Sequence, residues 1–137
     1  MKFIFRLASL LLIMSVLISG TIGCKSGPST TPEQDAILAY ADPATETTLQ
    51  GLSENNLAKY TQYGNAEFKA AVTQEILDPV ASQINSQLGA YQSKEFLRTE
   101  EQQGYIIVHY KAKYAKGEVG VRMVFDNDNL VAGQFFE

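Results

Sequence analysis

The sequence predicts an α+β domain in which N-terminal helices pack on a curved antiparallel sheet. Residues 105–114, Tyr-Ile-Ile-Val-His-Tyr-Lys-Ala-Lys-Tyr, alternate in polarity, are rich in β-branched and aromatic residues, and have a glycine near each end, which is typical of a strand. Apolar residues recur every four positions between residues 65 and 88, which indicates one face of a helix. Helices followed by a run of strands are the element order of an α+β protein.

The first 23 residues have the layout of a secretory signal peptide. Lys2 and Arg6 precede a run of apolar or small residues that ends at Gly23, and Cys24 follows. Residues 24–31 are polar and rich in Gly, Ser and Pro, so we expect a flexible tether there. The remaining residues, 32–137, are enough for one domain.

The segment Thr21-Ile22-Gly23-Cys24 resembles the lipobox of prokaryotic lipoproteins, in which a peptidase cuts before the cysteine and the sulfur carries a diacylglycerol. The resemblance implies that Cys24 is lipidated and holds the domain at the extracytoplasmic face of a membrane. Two alternatives stay open. Residues 7–23 could remain as a membrane helix, since they are just long enough to span a bilayer, or simple cleavage could release the protein.

Charge and cysteine content exclude several classes of partner. After residue 23 the chain keeps nine of its 11 basic residues and all 15 acidic ones, a net charge of −6. An acidic domain without a basic run predicts no nucleic-acid binding and no polybasic membrane patch. Cys24 is the only cysteine, so an intrachain disulfide cannot form.

The first helix should begin with a capping box at Thr31, with Pro32 in its first turn and Gln34 three residues after the cap. We expect a kink or restart at Asp42-Pro43, because proline lacks an N–H and disfavours helix at the residue before it. A short helix should follow within residues 54–63.

Asn65 is a suitable cap for the long helix, which Gly89 should end and Pro79 should kink. We expect its apolar face to be the main helical contribution to the core. The residues of that face are Phe68, Val72, Ile76, Val80 and Ile84.

The second half predicts four strands in an antiparallel meander, with the first over residues 91–100 and Phe96 as its core residue. If Lys116-Gly117 is a two-residue loop, Tyr110 faces Met123 and Lys111 faces Arg122. One face is then free of charge, and it carries Val108, Tyr110, Ala112, Tyr114, Val119, Val121, Met123 and Phe125. Residues 126–129 should form the turn before the last strand.

This element order resembles the nuclear-transport-factor-2-like, or SnoaL-like, cone. Residues 124–136, Val-Phe-Asp-Asn-Asp-Asn-Leu-Val-Ala-Gly-Gln-Phe-Phe, are similar to the closing hairpin of a domain of unknown function in that superfamily, and residues 88–91, Leu-Gly-Ala-Tyr, fit the same domain. The resemblance covers about residues 34–137. It implies a bent sheet with a pocket on its concave side, and it supplies no catalytic residue.

The sequence offers no metal, cofactor or catalytic motif. His109 is the only histidine, so a His/Cys metal site is excluded, and we expect it partly exposed on the outer sheet face beside Val124. Asp126-Asn127-Asp128 lacks the loop glycine and distal glutamate of a calcium site. Glycine-rich phosphate loops and dinucleotide fingerprints do not occur.

The candidate binding residues are on the uncharged face of the predicted sheet. Tyr110 and Tyr114 could orient a small apolar ligand together with the Gln134 amide, against Val121 and Met123. The alternative is that the tyrosines are core residues with their hydroxyls near the rim.

Three functions remain open from the sequence. The preferred one is a membrane-anchored, non-catalytic binding or interaction domain. The second is a small isomerase or lyase, which an Asp or His near the Tyr110 hydroxyl would favour, since that strand face carries no acid. The third is an accessory subunit, or a homodimer, that docks through the outer sheet face where Ile107, Val124 and Phe135 should lie.

Overall fold

The computed structural model describes residues 30–137, so the predicted signal peptide, Cys24 and most of the tether lie outside the described residues. Four helices come first in this part of the chain and a four-stranded antiparallel sheet of order β1-β2-β3-β4 follows, which confirms the α+β class. The elements are α1 (Pro32–Ser53), α2 (Leu57–Tyr60), α3 (Ala66–Ala71), α4 (Gln74–Gln87), β1 (Tyr91–Gln102), β2 (Tyr105–Tyr114), β3 (Gly117–Phe125) and β4 (Val131–Phe136). Within residues 30–137, none of the helices is long and apolar enough to cross a membrane.

Helix α1 begins as predicted but does not restart at Pro43. The Thr31 side chain accepts from the Gln34 backbone N–H, and the Gln34 side chain accepts from the Thr31 N–H. The helix then continues through Pro43 for 22 residues in all. The predicted restart was therefore wrong, because residues on both sides of the proline, Ala41 and Ala44, are buried in the core and favour one continuous helix.

The predicted long helix is two helices, and this changes its buried face. Val72 between α3 and α4 is extended, with φ −100° and ψ 111°. Phe68 is buried as predicted, but Ile76 is 52% exposed and Val80 is 40% exposed, while Leu77 is 2% exposed. The break lets α4 rotate independently of α3, so its inward stripe is Leu77, Ala81, Ile84 and Leu88.

The hairpin between β2 and β3 has a different loop from the predicted one. Tyr114 pairs with Gly117, which places Tyr110 opposite Val121 rather than Met123. Likewise Lys111 lies opposite Gly120 and not opposite Arg122. The N–H groups of the two loop residues, 115 and 116, donate to carbonyls of the segment between α4 and β1, which fixes this loop. Because the register differs by two residues, every side chain keeps its predicted face.

Strand β1 is longer than predicted, and its pairing with β2 has two irregularities. Gln103 and Gly104 both have positive φ (53° and 82°), so the tight turn begins only after Gln102. The pairing with β2 shifts between Tyr91 and Ser93 and again between Phe96 and Arg98. Extra residues in one strand of a pair bend and twist that strand locally.

The segment between α2 and α3 is bonded to the fourth strand. Asn65 N–H donates to the Val131 carbonyl and Val131 N–H donates to the Tyr63 carbonyl, both at 2.9 Å, in a parallel bridge centred on Gly64 and Val131. Asn65 also caps α3, since its Oδ1 accepts from the Phe68 N–H. The helical half is thereby closed against the far edge of the sheet.

Candidate functional site

The structure places the predicted pocket residues together on the helix-covered face of the sheet. Tyr110, Val121 and Met123 have no exposed area, and Tyr114 is 2% exposed. Gln134 is half-buried at the edge of the same face, opposite Met123. The four buried side chains pack as part of the core, which is the alternative that the sequence left open, and ligand binding by this set of residues stays a prediction.

Polar atoms of this face differ in how well they are bonded. The Tyr60 hydroxyl donates to Gln134 Oε1 at 2.8 Å. The Tyr114 hydroxyl and Gln134 Nε2 are buried and have no hydrogen-bond partner within residues 30–137. Desolvation, with a smaller contribution from nearby Tyr60, raises the pKa of Tyr114 to about 12. Tyr114 is therefore neutral at physiological pH, and its hydroxyl is a donor that a bound acceptor could satisfy.

A polar cluster that the sequence did not predict joins α1 to the sheet, and we call Asp42, Lys94 and Tyr110 the Asp42 cluster. The Tyr110 hydroxyl donates to Asp42 Oδ1 at 2.9 Å, and Lys94 Nζ lies 2.7 Å from the same oxygen. Lys94 Nζ also lies 4.6 Å from the centre of the Tyr110 ring. Burial, followed by the charge of Asp42, raises the pKa of Tyr110 well above its usual range. The phenol therefore stays protonated and donates to Asp42.

A second carboxylate of α1 repeats this arrangement one turn later. Glu46 Oε2 accepts from the Tyr91 hydroxyl at 2.7 Å, and Glu46 Oε1 accepts from Gln50 Nε2 at 2.9 Å. Burial, followed by the hydrogen bond to Glu46, raises the pKa of Tyr91 well above its usual range. Since Asp42 and Glu46 are four residues apart, both face the sheet from one side of α1.

His109 was predicted to be partly exposed and to lie beside Val124, and both predictions were wrong. The side chain is on the outer face, but the residue is only 4% exposed and lies opposite Arg122. Its Nε2 lies 3.1 Å from Glu100 Oε1 and its Nδ1 lies 3.2 Å from Glu137 Oε2. The hydrogen bond from His109 is the main cause that lowers the pKa of Glu100.

Glu100, His109 and Glu137 do not form a metal site. The carboxylates of Glu100 and Glu137 approach opposite ring nitrogens of His109, so the three groups have no common position for an ion. Residues 30–137 contain no other group of His, Cys, Asp and Glu side chains arranged to hold a metal ion.

The outer face also carries an exposed aromatic ring. Phe135 is 48% exposed, and the Arg122 guanidinium lies 4.7 Å from its ring centre. Of the other two residues of the predicted patch, Val124 is half-buried and Ile107 is 5% exposed. The apolar patch predicted there is therefore small and consists mainly of Phe135.

A cleft of about 240 Å³ lies away from the tyrosines, between the start of α1 and the β1–β2 hairpin. Three of its six polar lining residues are acidic. The lining residues are Thr31, Glu33, Gln34, Ile37, Thr99, Glu100, Glu101 and Ile106.

Fold and clusters together define a small α+β domain with helices on one face of an open antiparallel sheet. The chain belongs to the family described as "Protein of unknown function (DUF3887)", whose model matches residues 45–133. The match includes Tyr110, Tyr114, Val121 and Met123, and it excludes Asp42.

A solved structure is similar in fold. The NMR structure of a protein from Ruminococcus gnavus ATCC 29149 is 14% identical, with a TM-score of 0.52 over 74% of this chain and 89% of that chain. At that identity the likeness concerns the fold alone. No curated protein matches the sequence.

Proposed function

We propose that the protein is a lipid-anchored, extracytoplasmic domain that binds a ligand or partner without turnover. The observation that supports binding over catalysis is that the acidic groups beside the tyrosines are already bonded. Asp42 accepts from both Tyr110 and Lys94, and Glu46 accepts from Tyr91 and Gln50. A substrate would have to displace these bonds before either carboxylate could take a proton from it.

We also propose that the fold is an open variant of the nuclear-transport-factor-2-like cone. Helices that precede an antiparallel meander support this, as do the two pairing shifts in β1 that bend the sheet. In such a fold a ligand would enter between the helices and the sheet, where the Tyr114 hydroxyl and Gln134 Nε2 are among the buried donors without a hydrogen-bond partner in residues 30–137.

The anchoring is tested by intact-mass analysis of membrane fractions. We expect loss of residues 1–23 and addition of lipid at Cys24, because a diacylglycerol brings two chains and two chains anchor stably. Cys24→Ser is the matched control, and we expect no protein with an added lipid mass in its membrane fraction. Full-length protein with an unmodified Cys24 would overturn the proposal.

Binding is tested by thermal shift with small apolar molecules that carry one hydrogen-bond acceptor. Tyr114→Phe keeps the ring and removes the unpaired hydroxyl, so a ligand at this face should raise the melting temperature of the wild type more than that of the variant. An equal shift in both would place the site elsewhere. NMR spectra of the ligand with and without the protein measure turnover, and chemical conversion of the ligand would overturn the non-catalytic assignment.

A small isomerase or lyase is the second candidate, because Asp42 is an acid within hydrogen-bond distance of the Tyr110 hydroxyl. If this candidate holds, Asp42→Asn should abolish turnover and leave ligand binding in place. A third candidate, an accessory subunit or homodimer, is supported by exposed Phe135. In that case Phe135→Ser should weaken the assembly measured by light scattering.

A further inference from the structure

We infer that the acidic end of the domain, which adjoins the tether, is an electrostatic spacer that holds the anchored protein off an anionic bilayer. The inference rests on the proposed lipid anchoring. We call this region the tether end, and it comprises the first turns of α1, the β1–β2 turn and the β3–β4 turn.

Contacts within the structure bring these three segments together. The cleft joins Glu33 and Ile37 of α1 to Glu101 and Ile106 of the first hairpin. Ile106 pairs with Phe125 just before the second turn. The two turns are also adjacent, since a Cβ added at Gly104 would lie 4.0 Å from Asn127 Oδ1.

The tether end is rich in carboxylates. Arg98 pairs with one of them, Glu100, at 3.2 Å. The carboxylates are Glu33, Asp35, Glu100, Glu101, Asp126 and Asp128, and all but the half-buried Asp126 are exposed.

Charges at the opposite end of the sheet nearly cancel. Lys111 lies 3.8 Å from both Glu95 and Glu118. Lys113 and Lys116 also lie at this end, and Lys116 Nζ donates to a helix carbonyl. These five side chains together carry one net positive charge, and a single basic residue contributes only about 1 kcal/mol of attraction to an anionic surface.

Length decides which end can face the lipid. Helix α1 has 22 residues and is about 33 Å long at 1.5 Å per residue. Seven residue steps separate Cys24 from Thr31, a reach of at most about 25 Å. Because the tether is shorter than the domain, the molecule cannot turn its far end onto the bilayer by inversion.

Repulsion then sets the height of the tether end above the membrane. An anionic surface acts over about one Debye length, about 10 Å at 0.1 M salt and about 3 Å at 1 M. The tether is long enough to allow that separation. The surfaces near the β2–β3 turn therefore point away from the lipid and are accessible to partners.

The chain contains no tryptophan, which allows a direct test with single probes. Gln102→Trp marks the tether end and Ala115→Trp marks the β2–β3 turn, both at exposed positions. Energy transfer to dansyl-labelled headgroups is measured on vesicles with and without anionic lipid. We expect higher transfer from position 102 than from position 115. Transfer from 102 should fall with anionic lipid and recover at 1 M salt, as the Debye length shortens to about 3 Å.

Two charge variants make the test specific. Glu33→Gln with Glu101→Gln and Asp128→Asn removes three of the six carboxylates of the tether end and should weaken the dependence on anionic lipid. Glu54→Gln with Glu75→Gln and Glu118→Gln removes the same charge elsewhere and should preserve it. The inference would be overturned if energy transfer from position 102 did not depend on lipid charge, or if transfer from position 115 exceeded transfer from position 102.

Failure of the anchoring itself is separable from failure of the spacer. Mass analysis reports whether Cys24 carries lipid in cells. If it does not, the same transfer experiment can be run with Cys24 coupled to a maleimide lipid, since no other cysteine competes.

Discussion

The hydroxyl of Tyr110 in the middle of β2 donates to Asp42 in α1, a residue 68 positions earlier in the chain. The bond connects the covered face of the sheet to the longest helix at a point where Asp42 is also paired with Lys94. The Asp42 side chain is 45% exposed, so the cluster lies where the core meets the surface.

Removing this hydroxyl should weaken the domain modestly. Tyr110→Phe should lower the free energy of unfolding by about 1 kcal/mol, because Asp42 keeps its lysine partner and its access to water. Urea denaturation measures the change. Tyr105→Phe is the control, since Tyr105 is 42% exposed, and it should leave the midpoint unchanged. Indistinguishable midpoints for the two variants would show that the bond does not contribute.

Truncation of two neighbouring residues of α4 should lower the free energy of unfolding by very different amounts. Leu77→Ala should cost about 2–4 kcal/mol, because it opens a cavity under a side chain that is 2% exposed. Ile76→Ala should cost less than about 1 kcal/mol, because Ile76 is 52% exposed. Chemical denaturation of both variants measures this. A larger cost for Ile76→Ala than for Leu77→Ala would instead support the single long helix predicted from the sequence.

Stability at acidic pH should report the contact between His109 and Glu100. The pKa of Glu100 is lowered in the folded state, so the contact stabilises the fold above the unfolded-state pKa of about 4.3 and this contribution is lost as pH falls through the folded pKa. The difference in unfolding free energy between wild type and Glu100→Gln should thus be largest near neutral pH and shrink toward pH 3. In His109→Gln, carboxyl NMR should find the Glu100 pKa nearer its ordinary value. A Glu100 pKa that is equal in both proteins would contradict this.

Gly51 should tolerate no side chain. A Cβ at this position would lie 2.3 Å from the Tyr60 nitrogen and 2.8 Å from the Lys59 carbonyl carbon, which are backbone atoms that cannot rotate away. Gly51→Ala should therefore lower stability by at least about 2 kcal/mol through separation of α1 from α2. Gly117→Ala is the matched control, since its Cβ would meet only Leu88 Cδ2 at 3.5 Å. A small effect at Gly51 would mean that α2 moves freely.

Sheet faces were predictable from the sequence because strand periodicity survives a wrong loop. The predicted pairing of Tyr110 with Met123 is off by two residues, yet both side chains are on the covered face. An even shift preserves the face, and only an odd shift would have placed Lys111 inside.

Rotation of α4 was less predictable, because the apolar repeat crosses the break without interruption. Val72 fits the repeat but is extended in the structure. The available signal was Thr73, a residue type that starts helices.

Two features, the burial of His109 and the formation of the Asp42 cluster, depend on contacts between distant segments. Glu100 of β1 and Glu137, which follows β4, flank the ring, and Asp42 reaches Tyr110 from the helical layer. Local periodicity does not describe such contacts, so no pattern in the chain could have predicted them.

The bridge between Gly64 and Val131 has a consequence for synthesis. Each strand of the meander pairs with its neighbour in sequence. The segment between α2 and α3 differs, because Tyr63 and Asn65 form their backbone hydrogen bonds with Val131, which belongs to the last strand. A chain that emerges from a ribosome or a secretion channel N-terminus first therefore carries an incomplete helical layer until nearly all of the domain has emerged. Chaperone binding to nascent chains should accordingly end only when Val131 is released.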